Sequence, residues 1–332
     1  MKQVRWGIIG CGDVTEVKSG PALQKAQGSQ LLAVMRRNGS LAQDYARRHG
    51  VPRWYDDAQQ LIDDPEVDAV YIATPPRMHK EYTLAVASAG KPVYVEKPMA
   101  LNAAECQQMI AACRSAGVPL FVAYYRRALP RFVKIKEILN SGALGELRHV
   151  QITLTQPASQ YAAGVLPWRV QPETAGGGHF VDLAAHSLDF LDYVFGPITQ
   201  VKGIARNQDG GYPAEDIVSG TFEFENGVIG SGLWCFASYE TSDRVVITGS
   251  KGRLTFATFE NEPVVLETVS GRQTFDIPQP AHVQQPLIQQ VVDELLGRGV
   301  CVSTGENGLR TTRVMQQLLA DYYQKKMIGV KP

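Results

Sequence analysis

The chain starts with an apolar run that ends in glycines. Val4 to Ile9 reads Val-Arg-Trp-Gly-Ile-Ile, and residues 7 to 12 read Gly-Ile-Ile-Gly-Cys-Gly. A buried strand that closes on a G-x-G turn tightly limits what can surround it. Gly10 and Gly12 lack the Cβ that would hold backbone amides away from a pyrophosphate. The next apolar run, Leu31 to Met35, fits a second strand with a helix before it. Strand, glycine turn, helix and strand form the unit that binds a dinucleotide, with Gly10, Gly12, Asp13 and Val14 as its expected contacts. The third small residue of that fingerprint is missing. Thr15 stands in its place, able to cap the helix but large enough to loosen its packing on the strand.

The tip of the second strand reads the adenosine ribose. An acidic residue there would accept a 2′-hydroxyl and repel a 2′-phosphate. Arg36 and Arg37 occupy it instead, and guanidinium forks suit a phosphate. The expected cofactor is therefore NADP(H), with NAD(H) as the alternative.

At 332 residues the chain suggests two domains, and 44% hydrophobic content allows a sizeable core. Lys plus Arg equals Asp plus Glu, 33 each. With no global basic field, nucleic acid and anionic membrane are not expected as partners. No leader pattern precedes the first strand, and no apolar run nears the ~18 residues of a membrane span. The cysteines at 11, 106, 113, 235 and 301 form no C-x-x-C and are odd in number. They fit reduced thiols and a cytoplasmic location.

The first third alternates strand and helix. Strands are expected at Asp68–Thr74, Pro92–Glu96 and Leu120–Tyr124, separated by helices at Lys80–Ala89 and Ala103–Ala116. This predicts an α/β, doubly wound parallel sheet, with ligands at the carboxyl ends of its strands. Thr74, Pro75, Pro76, Glu96 and Lys97 fall at such ends, and His79 follows closely. From about residue 145, strand-like runs follow one another: Leu147–Gln156, Gln200–Arg206, Asp216–Glu225, Gly227–Phe236, Arg244–Gly249, Gly252–Phe256 and Pro263–Val269. They predict a large, mostly antiparallel open sheet. One helix, Phe180 to Phe195, interrupts it, and helices at Pro286–Leu296 and Gly305–Lys325 close the chain. The expected domains are residues 1–123 and 124–332, with the last helix packing back on the first.

Two groups could carry chemistry. Lys97, in Glu96-Lys97-Pro98, ends a buried strand where a lysine has little structural use, and its ammonium could stabilise a developing oxyanion. Asp182 and His186 stand four apart on one helix face, with Asp189 beyond, after the triplet Gly176-Gly177-Gly178. Histidine takes a proton near neutral pH, and the carboxylate can orient it or bind a second hydroxyl. The triplet could let the helix start pack on a bound ring. Asp182 and His186 could also ligate a metal, but a third ligand at matching spacing is not evident, so no metal is expected. Trp168-Arg169 could cover a substrate or simply pack.

These segments resemble the Gfo/Idh/MocA family of oxidoreductases. The matching pieces are Gly-Ile-Ile-Gly-Cys-Gly at 7–12, Tyr-Ile-Ala-Thr-Pro-Pro at 71–76 with His79, and Val-Glu-Lys-Pro at 95–98. Gly-Ala-Leu-Gly-Glu at 142–146, the run from Gly176 to His186, and Ser-Thr-Gly-Glu-Asn-Gly-Leu-Arg at 303–310 complete the set. The resemblance implies Lys97 in contact with nicotinamide and substrate, His186 as acid/base, Asp182 on a substrate hydroxyl and a cis Lys97–Pro98 bond. It implies a secondary alcohol and carbonyl interconverted on a sugar, inositol or related polyol. Tyr124, Arg126, Trp168 and Arg169 are expected to frame the substrate. Alternatives are a trans-dihydrodiol dehydrogenase-like activity and a catalytically silent NADP(H) sensor. A homodimer or homotetramer through the second sheet is expected. Val218, Phe222, Phe224, Ile229, Leu233 and Phe236 exceed the apolar needs of one covered face.

Overall fold

In a computed structural model, residues 2–161 and 164–327 are described. The chain divides into two compact units, Met1–Leu129 with Pro280–Leu309, and Pro130–Gln279 with Arg310–Pro332. The first unit thus runs six residues past the expected boundary at 123 and regains a segment from near the C-terminus. The last helix is divided between the two units, where the sequence suggested a return to the first.

In the first unit the strands are β1 (Val4–Ile9), β2 (Ser29–Met35), β3 (Arg53–Tyr55), β4 (Ala69–Ile72), β5 (Val93–Val95) and β6 (Leu120–Val122). The helices are α1 (Gly20–Lys25), α2 (Gly39–His49), α3 (Ala58–Asp63), α4 (His79–Ser88) and α5 (Ala103–Ser115). All strand pairs are parallel, in the order β3-β2-β1-β4-β5-β6. The chain winds outward in both directions from β1 and β4, so the switch point lies between them, where such sheets bind ligands. Short side chains fix the helix starts. The Asn38 and Asn102 side chains accept the amides of Leu41 and Glu105 in the first turns of α2 and α5, and Asp57 accepts those of Gln59 and Gln60 in α3.

The second unit begins with α6 (Pro130–Asn140), which the sequence reading did not anticipate. It continues with β7 (Leu147–Thr155), a short α7 (Pro172–Ala175), α8 (His179–Phe195) and β8 (Ile198–Arg206). Then come β9 (Ile217–Phe224), β10 (Ile229–Cys235), β11 (Ser242–Gly249), β12 (Gly252–Phe256), β13 (Val264–Thr268) and β14 (Gly271–Phe275). The order is β14-β13-β12-β11-β7-β10-β9-β8. Every pair is antiparallel except β7 with β10, so the sheet is mostly antiparallel as expected, with one strand more than the sequence suggested. The closing helices are α9 (Gln285–Leu295) in the first unit and α10 (Gly305–Met327).

One face of the large sheet is covered. Phe180 and Phe195 of α8 meet Trp234 and Phe224, and Phe132 of α6 meets Phe190 and Phe256. Gly203 and Gly220 make room for α10, since a Cβ on either would lie within 2.5 Å of Leu318. Val218, Phe222, Phe224 and Phe236 all lie buried, and only Ile229 and Leu233 of the six apolar residues reach the outer face. Across that face the register aligns Ile204, Ser219, Leu233, Thr153 and Arg244 in one row. The outer face is therefore largely polar. The apolar excess expected to drive sheet-on-sheet association is taken up by α8 and α10.

Near the glycine turn, Glu16 joins the helical turn Thr15–Ser19 to the end of α2. Arg48 donates to both its oxygens at 2.8 Å, and His49 Nε2 lies 2.7 Å from Oε2. The Arg48 bonds in particular hold the Glu16 carboxyl down at about 2, against an ordinary 4.5. A depressed carboxyl contributes stability above its unfolded pKa and loses it as pH falls through the folded one. Replacing Glu16 by Gln should lower Tm near neutral pH. The gap to wild type should close between about pH 4.5 and 2, as thermal melts across that range would record.

Candidate cofactor and catalytic sites

The glycine turn ends β1 beside the end of β4. Gly10 has φ +94°, and a Cβ there would fall 2.8 Å from Thr74 Cγ2. Glycine is needed at this position to let the two strand ends approach. At Gly12 the nearest atom to a Cβ would be 3.9 Å away, so packing makes no such demand. Its missing side chain leaves space over the turn. Thr15, the departure from the fingerprint, is fully buried and closes the turn from inside. Its hydroxyl donates to Gly12 O at 2.7 Å, and its Oγ1 accepts the Gly12 amide at 3.0 Å. The looser packing expected of Thr15 is offset by these bonds. Among the described residues no acceptor takes the amides of Asp13 or Val14. Orphan amides at a helical start suit phosphate oxygens.

Arg36 and Arg37 lie exposed at the tip of β2. The Arg36 amide donates to Tyr55 O at 3.2 Å and pins the tip to β3. Among the described residues neither side chain enters a hydrogen bond or ion pair, so both guanidiniums are open to an anionic ligand. The residues present thus fit an adenine dinucleotide, and they fit one with an extra phosphate on its ribose.

At the end of β5, Glu96 is buried and turned inward. Its Oε1 accepts from Tyr71 at 2.5 Å and Gln284 at 2.6 Å, and its Oε2 accepts the Lys97 amide at 3.1 Å. The carboxylate expected to face the cofactor is instead consumed inside the unit, where it fixes the backbone of Lys97. Lys97 itself is half-buried, and the Lys97–Pro98 bond is cis, as the resemblance implied. His79 is fully buried at the head of α4 and does not line an open crevice. Thr74 and Pro75 are half-buried, Pro76 is buried, and among the described residues the Thr74 Oγ1 has no hydrogen-bond partner. Tyr124 and Arg126 are both buried, Arg126 in a 3-10 turn with its guanidinium 5.1 Å from the centre of the Tyr125 ring.

In the second unit α8 carries Asp182 and His186 on one face, half-buried and buried respectively. Arg169 Nε lies 3.4 Å from Asp182 Oδ2, and its guanidinium stacks 4.6 Å over Trp168. The pair Trp168-Arg169 therefore packs beside Asp182. Tyr161 O–H and His179 Nε2 are 2.7 Å apart, and His179 meets the Tyr212 and Phe236 rings. Burial lowers the His179 pKa, against the pull of Asp182. The His186 ring meets the Phe259 ring edge-on at 5.7 Å. Asp243 holds the loop that carries Phe259 by accepting the amides of Thr258 and Glu260 at 2.9 Å. Asp189 is buried near the Thr311 hydroxyl at 3.4 Å and belongs to the packing of α10. Among the described residues no three His, Cys, Asp or Glu side chains gather as a metal-binding group.

The glycine triplet serves the protein itself. A Cβ at Gly178 would lie 2.7 Å from Glu215 O and 2.8 Å from Ala214 Cβ. Glu215 is fully buried; its Oε1 accepts the Gly178 amide at 2.8 Å and its Oε2 the Tyr323 hydroxyl at 2.7 Å. It caps α8 from a different part of the chain, and burial raises its pKa. Sequence reasoning missed Glu215 and read the glycines as a ring-binding platform. The only signal was the acidic pair Glu215-Asp216 just before an apolar strand. Gln284 was missed as well, because nothing local marks a glutamine that completes a strand end 188 residues away.

Two family descriptions match the chain. Residues 4–124 match the oxidoreductase family with NAD-binding Rossmann fold, and residues 132–255 match the GFO/IDH/MocA C-terminal domain. Oxidoreductase P35 of Formosa agariphila is 39% identical over 94% of this chain and 97% of its own. Trans-1,2-dihydrobenzene-1,2-diol dehydrogenase of Sus scrofa is 32% identical over 75% of this chain and 72% of its own. Among solved structures, aldose-aldose oxidoreductase from Caulobacter crescentus, complexed with glycerol, superposes with a TM-score of 0.86. That chain is 25% identical, and the match covers 99% of this chain and 100% of that one.

The tight approach at Gly178 can be tested without any substrate. Gly178→Ala forces backbone or Ala214 to move, and overpacking of this kind costs about 1–3 kcal/mol. Urea denaturation should show that loss in the variant. Gly12→Ala, which meets open space, should stay within about 1 kcal/mol of wild type, the glycine-to-alanine range.

Proposed function

Because the chain belongs to the GFO/IDH/MocA family of oxidoreductases, we propose that it is an NADP(H)-dependent dehydrogenase or reductase. It would interconvert a secondary alcohol and a carbonyl on a sugar, inositol or related polyol. The observation that carries this reading is the phosphate-ready end of the first sheet. There the unclaimed amides of Asp13 and Val14 and the two uncommitted guanidiniums of Arg36 and Arg37 belong to one β1–turn–β2 segment.

When bound, the nicotinamide supplies the hydride acceptor or donor. Lys97 donates a hydrogen bond to the reacting oxygen and lowers the cost of its negative charge. The His186 imidazole takes the hydroxyl proton during oxidation and returns it during reduction. Asp182 accepts from a second substrate hydroxyl, with Arg169 Nε 3.4 Å from its Oδ2. Tyr124, Arg126, Trp168 and Arg169 frame the substrate. In the oxidation direction the hydroxyl proton passes to His186 while Lys97 steadies the oxygen that becomes the carbonyl.

A second reading, oxidation of a cyclic diol on an unsaturated ring, draws on the aromatic surroundings of Asp182. Trp168 lies under Arg169, and Tyr161, His179 and Tyr212 cluster at the start of the same helix. A dehydrogenase screen with aldoses, inositols and a dihydrodiol, each with both cofactors, separates the two. Absence of turnover with every member would favour a silent cofactor-binding protein.

The arginine pair sets the cofactor expectation. A charged hydrogen bond contributes about 1.5–3 kcal/mol, so NADPH should bind about 10-fold or more tightly than NADH. Arg36→Asp should reverse the order. Equal dissociation constants for wild type, measured by nicotinamide fluorescence, would rule the preference out.

The chemistry sets the other. Lys97→Ala and His186→Asn should each reduce kcat by roughly 100-fold or more, the usual share of a placed acid or base. His186→Asn should leave the cofactor dissociation constant near wild type. Wild-type turnover in His186→Asn would assign the proton to another group.

A further inference from the structure

His79 is surrounded by backbone oxygen on both sides of its ring. Nε2 lies 2.7 Å from Thr74 O at the end of β4. Nδ1 lies 3.0 Å from Pro98 O and 3.2 Å from Met99 O, in the turn that follows Lys97. The residue is 0% exposed. A buried imidazole with carbonyls on both faces is an awkward choice if volume alone were needed, because leucine would fill the space without polar atoms to satisfy. The ring is one of the physical links between the ends of two neighbouring parallel strands, the one carrying Thr74 and the one carrying Lys97, beside the Tyr71–Glu96 bond. Lys97 is held from its other side as well, since its amide donates to Glu96 and Glu96 is anchored by Tyr71 and Gln284.

We propose that His79 is a positioning residue for Lys97, with its ring proton on Nδ1, where it donates to the Pro98 and Met99 carbonyls. This rests on the reading of Lys97 as a group that touches cofactor and substrate. The Nε2 contact with Thr74 spans only five residues and serves the local turn. Glu96, whose charge also bears on His79, stays occupied by Tyr71, Gln284 and the Lys97 amide.

The two ends of the ring can be tested separately. In His79→Asn the amide nitrogen takes the place of Nδ1 and keeps the bond to the Lys97 turn. In His79→Gln it takes the place of Nε2 and keeps only the Thr74 contact, and His79→Leu keeps neither. NADPH affinity is read by fluorescence titration, Tm by melting without cofactor, and kcat and KM with the fastest alcohol of the aldose and inositol panel. Asn should bind NADPH and turn over at least about five-fold better than Gln and Leu, with substrate KM within about two-fold throughout. If Leu does not fold, the comparison of Asn with Gln decides alone. Gln equal to or better than Asn, or wild-type affinity and kcat in Leu, would overturn the proposal. Lys97→Met, measured in parallel, isolates the underlying reading. If it keeps wild-type kcat, the role of Lys97 falls, and the order of NADPH affinities still decides whether His79 sets the turn.

Discussion

Burying a carboxylate at the end of a strand forces everything near it to supply hydrogen bonds. Glu96 lies 6% exposed at the carboxyl end of β5, and an unsatisfied charge there would cost upward of about 3 kcal/mol. Tyr71 from β4, Gln284 beside α9 and the amide of Lys97 meet that demand. Gln284 is in turn oriented by the Tyr94 hydroxyl at 3.1 Å. One charge therefore couples two strands, a returning helix and the backbone of the residue proposed to act in catalysis. Its neighbours Tyr71 and Tyr94 stack on each other, and burial pushes both phenol pKa values up, so they stay as neutral donors.

The second unit applies the same device. Glu215 is buried behind the start of α8, and the Gly178 amide and Tyr323 hydroxyl satisfy it. A carboxylate at a helix N-terminus also meets the positive end of the helix dipole. In both units a buried acid stands next to the element that carries proposed catalytic groups, and in both the partner arrives from late in the chain. Rigidity at these points follows from burial combined with full hydrogen bonding, because a displaced partner would leave a charge without compensation.

Much of this was legible in the sequence, for identifiable reasons. The parallel sheet announced itself through continuous apolar runs, which only strands covered on both faces require. The glycine turn and the helix bearing Asp182 and His186 depend on local residue types, whereas the cis Lys97–Pro98 corner was legible only through the family resemblance. Three things did not show. Glu96 sits in a strand-end motif like a ligand, yet its side chain points inward, because a strand alternates faces and the partner that draws it in is distant. The Gly176–Gly178 triplet looked like a platform, because glycine signals close approach without saying to what. The surplus of phenylalanine in β9 looked like an exposed patch, because the glycines at 203 and 220 that admit α10 give no hydrophobic signal.

The return of residues 280–309 to the first unit has a consequence during synthesis. Gln284, which completes the Glu96 site, emerges from the ribosome 188 residues after its partner. At about 5–20 residues per second that is an interval of roughly 10–40 seconds, long compared with helix or hairpin formation. Through that interval the nascent first unit has β1 to β6 in hand but lacks the amide that donates to the buried Glu96 carboxylate. It also lacks the Thr304 bridge to Phe121 at its outer strand. The N-terminal unit, although it is begun first, therefore stays incomplete until residues 280–309 have been made, and its sheet depends on chain synthesised after most of the second unit.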